Sequence, residues 1–278
     1  MCPLIGGDSA LRIGSVTITA MPAVTDIDHY ATRMLALALE RVNTHYDIVP
    51  DPDGSQRTQS RYIEDLRTGR IDVMWAASDV SLEEQVLPVR IPLLKGLLGH
   101  RIFLIHKNAQ AKFDAVKTLD DLKKLSLGQG RRWADTEILE SNQLKVIKAE
   151  KYESLLYMLD GGRFDAFPRG VQEPWSEVDK IPGLELAVEK NLMLVYKMPF
   201  YLFVSPKNQK LARDIEAGLN AMIEDGSFDY EFLNDPSIKK VIELANLKER
   251  KVFYLDNPSM PKKTPVEREE LWLDINSL

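Results

Sequence analysis

The sequence predicts an α/β protein made of two similar units, each a mostly parallel sheet flanked by helices. Three observations carry this reading. Short β-branched, apolar runs alternate with stretches of helical spacing. The alternation of strand, helix and strand is completed once and then begun again, and that order implies parallel pairing. The two halves also share an ending: "LRTGRIDVMWA" (66–76) and "LDGGRFDAFPR" (159–169) each read as helix, glycine stop, arginine, apolar residue, aspartate and strand.

The elements follow in order. Residues 11–18, "LRIGSVTI", alternate and are β-rich, so they read as a strand. Residues 26–42 have helical spacing, with Asp26 or Asp28 as the cap. "YDIVPDPDGS" is a strand entering a turn, and "QRTQSRYIEDLRTG" is a helix stopped by Gly69. "IDVMWA" (71–76) closes the first unit as a short buried strand. In the second unit, "HRIFLIHK" (100–107) is a strand, "TLDDLKK" a short helix and "LSLGQG" a strand with a glycine turn. "ADTEILESNQ", "LKVIKAE" and "YESLLYMLDGG" continue as helix, strand and helix. "RFDAFP" is expected to stop at Pro168, leaving Arg169 at the mouth of the strand. "FYLFVSP" (200–206) is a further strand, followed by a long amphipathic helix closed at Asp225-Gly226. The proline-bearing tail from Lys251 reads as an extended arm over the surface.

Composition narrows the function classes. With 278 residues, 44% hydrophobic and 28% charged, the chain can bury a sizeable core and is not disordered in type. A net charge of -6 argues against a nucleic-acid protein, whose footprint is basic. Residues 86–105 come nearest to a membrane span, but two arginines, a lysine, a histidine and two prolines interrupt them. A single cysteine, Cys2, excludes an internal disulfide and a multi-cysteine zinc site. The first residues lack a charged start with an apolar run. Either a cytosolic protein or a mature form whose signal peptide has been removed fits, and Cys2 is a candidate lipid-anchor cysteine.

Chemistry-bearing motifs are sparse. His29, His45, His100 and His106 are scattered without metal-ligand spacing. Ser78-Asp79 does not form a nucleophile elbow, no Walker sequence occurs, and "GQGRRW" lacks the third glycine of a dinucleotide fingerprint. No catalytic residue, metal or cofactor is expected, and an enzyme is not the first reading.

Several stretches resemble one family in their order. "LRIGSVTI" stands where its first strand opens. "LRTGRIDVMWAASDVSLEEQ" resembles its helix, strand and following loop. "TLDDLKKLSLGQG" resembles its entry into a second lobe, "YESLLYMLDGGRFDAF" its second-lobe helix and strand, and "LFVSPKNQKLARDIEAGLNAMIEDGSF" its closing strand and helix. Over roughly residues 11–235 the chain is similar to the periplasmic solute-binding proteins of type II topology, in particular the amino-acid-type family 3 group. The resemblance implies two lobes joined by a hinge of two crossing strands and closing over a ligand. The expected division is 1–104 plus 201–278 for lobe 1, with 251–278 as a C-terminal extension, and 105–200 for lobe 2. The ligand is expected outside the carboxyl ends of the strands, at the loops after Ile18, Trp75, Gly128 and Phe167.

The departures from the family pattern shape the expected ligand. The loop arginine that would grip an α-carboxylate is aligned with Glu84, and the aspartate that would take an α-ammonium is aligned with Gly170. An ordinary α-amino acid is therefore disfavoured. The turn "GQGRRWAD" (128–135) leads into a helix, whose first N–H groups attract anions. Arg131, Arg132 and Arg169 add fork-shaped donors for a carboxylate or phosphate. Trp75 and Trp133 offer flat walls, and Ser78, Gln129 and Thr19 complete the expected ligand-binding set. Arg169 could alternatively pair with Glu173 or Asp165. The expectation is a periplasmic, monomeric binder of a small anionic ligand, serving an ABC transporter or a membrane sensor. The alternatives are a ligand-less interaction protein of the same fold and a small-molecule enzyme such as a dehydratase.

Overall fold

The computed structural model describes residues 15–53, 57–178 and 181–278. Cys2 and the first part of the expected strand at 11–18 lie outside the described residues. Strand β1 (Val16–Ala20) leads to helix α1 (Asp26–Leu39), then β2 (Tyr46–Pro50), α2 (Gln59–Thr68), β3 (Val73–Ala77), the short α3 (Val80–Glu83) and β4 (Leu87–Val89). β1 lies parallel between β2 and β3, as the strand–helix–strand order requires. The cap of α1 is Thr25 rather than an aspartate; Asp28, at the third helical position, reaches back to complete a capping box. Gly69 closes α2 with φ of 80°, as its place after the last helical residue suggests.

The second sheet begins with β5 (His100–His106) and continues through α4 (Gln110–Asp114), α5 (Leu119–Lys123), β6 (Ser126–Gly130), α6 (Ala134–Ser141), β7 (Lys145–Ala149), α7 (Tyr152–Asp160), β8 (Ala166–Gly170), α8 (Pro174–Glu177), β9 (Leu186–Val188) and β10 (Leu192–Val195). The chain then returns as β11 (Phe200–Val204), α9 (Gln209–Glu224), α10 (Ser227–Asn234) and α11 (Pro236–Ala245), before β12 (Lys251–Tyr254). The first sheet has the order β2-β1-β3-β11-β4, and the second β12-β10-β5-β8-β6-β7 with β9 on β5.

Two local readings need correcting. β8 runs through Pro168 and includes Arg169, so the strand does not stop at the proline. Pro168 lies opposite Phe103, whose carbonyl accepts from Glu189 on the far side of β5, and β6 pairs with β8 only at Ala166. The missing proline N–H therefore costs no ladder bond. The long helix after residue 208 closes at Asp225-Gly226 as expected, with φ of 78° at Gly226, and α10 follows it. The tail is more than a surface arm: β12 extends the second sheet alongside β10, and Leu271 and Trp272 are buried against the first sheet's core.

The shared ending of the two halves has one structural meaning. The Asp72 amide donates to the Thr19 carbonyl at 2.6 Å, and the Thr19 amide donates to Asp72 Oδ2 at 2.8 Å. In the second half, the Asp165 amide donates to the Ser126 carbonyl at 2.8 Å, and the Ser126 amide to Asp165 Oδ2 at 2.7 Å. Each aspartate ties the start of one strand to its parallel neighbour.

The sheets meet where the chain crosses between them. Gly99 and Tyr196 lie side by side there, with the Tyr196 amide 3.1 Å from the Gly99 carbonyl. A Cβ on Gly99 would fall 1.8 Å from the Tyr196 carbonyl oxygen, so only glycine allows this approach.

Candidate functional site in the interlobe cleft

On the first lobe, the ends of β1 and β3, the start of α1 and the start of α2 border a cavity of about 320 Å³. Trp75 is buried in its wall, and its indole N–H donates to Asp28 Oδ1 at 2.7 Å. Burial pushes the Asp28 carboxyl up, but hydrogen bonds from Trp75 and Thr25 outweigh this and hold it below the ordinary carboxylate range. Arg57 borders the same cavity and is held by Asp51, Asp53 and Asp65, at 2.7, 2.6 and 2.6 Å.

The second lobe contributes a dense charged group. Arg169 is 8% exposed and grips Glu177 with two bonds, of 2.8 and 2.7 Å, and Glu173 with one of 2.8 Å. Its guanidinium lies over the rings of Phe167, Trp133 and Tyr152, at 4.8, 5.2 and 5.4 Å from their centroids. Trp133 itself stacks on Phe167 at 6.1 Å. Arg169 is thus built into a box of rings and carboxylates. Of the two partners the sequence suggested, Glu173 is one, while Asp165 braces strands and binds Lys112.

A second arginine, Arg101 at the start of β5, was not singled out from the sequence. Its Nε lies 2.7 Å from the Tyr196 hydroxyl and 2.9 Å from Asp135, and Nη1 lies 3.7 Å from Glu173. Burial works against its charge, but Tyr196, Asp135 and Glu173 more than compensate and keep it protonated. The same burial raises the Tyr196 phenol, which donates to Asp135. The signal for Arg101 was an arginine opening a strand in an otherwise apolar run, whose partners Tyr196, Asp135 and Glu173 reach it only in the folded chain.

The remaining expected residues are placed apart from one another. Arg131 is exposed and pairs with Glu150, and Arg132 is exposed at the same turn. Gln129 is buried, and its side-chain oxygen accepts from the Gly130 amide. The Ser78 hydroxyl donates to Glu83 at 2.8 Å. Thr19 serves the strand brace through its backbone. Arg131, Arg132 and Arg169 therefore do not converge on one point: two are exposed at the turn after β6, and the third is buried within its carboxylates.

Between the lobes lies a larger cavity of about 670 Å³, lined by the cap Thr25 and Ile27 at the start of α1, Leu97 and Leu98 of the crossing, Gln172, Glu173, Trp175 and Glu177 around α8, and residues of α11. Around the second-lobe group, Asp135, Glu173 and Glu177 face Arg101 and Arg169, which leaves one carboxylate in excess. Such a group suits recognition by charge. Its carboxylates are engaged with arginines. Among the described residues, no group of three His, Cys, Asp or Glu side chains is placed to hold a metal ion.

No family model matches the chain, and no curated protein does. Solved structures do. The probable amino-acid ABC transporter extracellular-binding protein ytmK of Bacillus subtilis is similar at 15% identity with a TM-score of 0.57, over 81% of this chain and 100% of that one. The periplasmic VFT2 domain of Bordetella pertussis BvgS is similar at 17% identity with a TM-score of 0.52, over 78% of this chain and 92% of that domain. Among the described residues, no helix is long and apolar enough to cross a membrane. The two sheets, the crossings between them and these likenesses together identify the fold: the chain has the two-lobed α/β architecture of the type II periplasmic solute-binding proteins.

Proposed function

We propose that this protein is an extracytoplasmic solute-binding protein that holds a small molecule between its lobes without turning it over. As a monomer it passes that molecule to an ABC transporter or presents the filled state to a membrane sensor. The lobes divide the chain near residues 104 and 200, and the segment after Lys251 reaches both. The observation that carries the reading is the interlobe cavity of about 670 Å³ with a paired charged group on its wall. Open space between the lobes favours a binder over an interaction protein whose cleft is filled by its own side chains.

The polarity of the ligand is the finer question. An anionic ligand finds support in Arg131 and Arg132, exposed after β6. It draws less on Arg169, which would have to leave Glu173 and Glu177. The charge balance around Arg101 and Arg169 favours a ligand with a cationic group, an amine or guanidine, received by Glu173. Calorimetric titration with matched amines, guanidines, dicarboxylates and phosphate esters, repeated on Glu173→Gln, separates the two. A cationic ligand loses at least tenfold in affinity in the variant. An anionic ligand that binds the variant equally well or better, and loses affinity in Arg132→Ala, would establish the opposite polarity.

A further inference from the structure

The segment after β12 adds a further tie between the two lobes. It leaves the second sheet at Tyr254, with the Leu255 amide donating to the Val195 carbonyl at 2.9 Å. It then fastens to helix α6 of the second lobe: Asn142 donates to the Asp256 carbonyl at 2.8 Å and accepts from the Asp256 amide at 3.1 Å. Ser259 next touches both lobes at once. Its hydroxyl donates to Glu137 of α6 at 2.8 Å, and its carbonyl accepts from the Val80 amide, at the start of α3 in the first lobe, at 3.3 Å.

The segment ends on the first lobe and on the crossing itself. Leu271 and Trp272 are buried with the first sheet's core. A Cβ on Gly96 would fall 2.7 Å from the Trp272 ring, so the indole lies directly on the backbone that leads into β5. The Leu273 amide donates to the Lys95 carbonyl at 2.8 Å, and the Lys197 ammonium sits 4.1 Å from the centroid of the Trp272 ring, on the other crossing. The chain therefore passes between lobes at the β4–β5, β10–β11 and α11–β12 connections, and once more through this segment.

We propose that residues 255–278 are a strap that holds the lobes near the separation seen here and limits how far they open. A two-strand hinge leaves the lobes free to swing about its axis. A further connection that is anchored at both ends, with a serine bridging α3 and α6 away from that axis, opposes the swing. The inference does not depend on the identity or polarity of any ligand.

The test needs no ligand. In a Cys2→Ser background, spin labels at Ser60→Cys on α2 and Tyr157→Cys on α7, both exposed, report the distance between lobes by pulsed electron resonance. A protease site is inserted between the exposed Lys262 and Lys263, and the folded protein is measured before and after cutting. Circular dichroism checks that the cut chain stays folded. The expected result is a single narrow distribution in the intact chain that broadens about twofold and shifts to longer distance after cutting. A folded, cut chain with an unchanged distribution would overturn the proposal, as would an intact chain already broad before cutting. Should the cut chain unfold, Ser259→Gly combined with Glu137→Ala loosens the bridge without severing the chain; the same broadening is expected there, and none would overturn it.

Discussion

Arg169 shows how a residue read as a ligand contact can be tied into the protein itself. Its guanidinium is satisfied by Glu177 and Glu173 and covered by three aromatic rings. Removing one member of a buried ion pair leaves the other charge stranded, which costs about 3–5 kcal/mol. Arg169→Ala should therefore lower the urea midpoint sharply, and Arg169→Lys, which keeps the charge but loses the two-pronged bond to Glu177, should fall between. An Arg169→Ala protein as stable as the parent would show that the box contributes nothing to folding. His100 gives a second test. Its Nδ1 lies 3.1 Å from the Gly96 carbonyl, which places the ring proton there. Burial moves its pKa down to about 4, with the nearby Lys197 and Arg101 charges adding to the effect. The folded state resists protonation and the unfolded chain does not, so stability is retained above about pH 6.5 and is lost as the pH falls towards 4. Between pH 7 and 5 this amounts to about 2 kcal/mol. Chemical denaturation at the two pH values should show that loss, reduced in His100→Gln. The sequence could name Arg169 because a proline and an arginine ending an apolar run stand out. It could name Glu173 as a partner but not Glu177, which closes a short helix entered through Pro174 and is recognisable only once β8 is placed.

At the level of elements, the strands and helices of the first 235 residues were largely legible, because periodicity and stop signals agree there. The clearest case is the echo between the halves: Asp72 and Asp165, each two residues after an arginine, brace parallel strands in the same way. Asp72→Ala and Asp165→Ala should each destabilise by about 1–3 kcal/mol, since each strands a backbone amide. Paired denaturation curves check this; a large cost for one and none for the other would mean that the likeness is confined to the sequence. The end of β8 was misread because a proline is a poor strand residue only where its amide would have to pair with a neighbouring strand, and nothing local reveals that β6 pairs with β8 only at Ala166. The crossing at Gly99 is similar. A glycine in "LLGHR" looks ordinary until Tyr196 passes within van der Waals contact. Gly99→Ala should cost about 1–3 kcal/mol or more from the clash, read as a lowered melting temperature.

For the molecule as a whole, the sequence could indicate two lobes because their order of elements is long and repeated, and the shape of the chain bears that fold out. The charge of the group that contributes Glu173 and Glu177 to the cavity wall was not legible. Counting arginines suggested an anion site, whereas partnership decides the net charge: Asp135 of α6 and the Glu173–Glu177 segment meet around Arg101 and Arg169 only in the folded protein. The final segment was equally hidden, since Trp272 finds its place on Gly96 across the whole length of the chain. The most direct check on the central claim is a thermal-shift screen against amines, guanidines, amino acids, dicarboxylates, sugars and phosphates. Ligand at a hundred times its dissociation constant stabilises the folded state by about 2.7 kcal/mol. The account predicts a clear upward shift with one chemical class, foremost one bearing a cationic group, that is lost in Glu173→Gln. A melting temperature that no compound moves would contradict a solute-binding cleft.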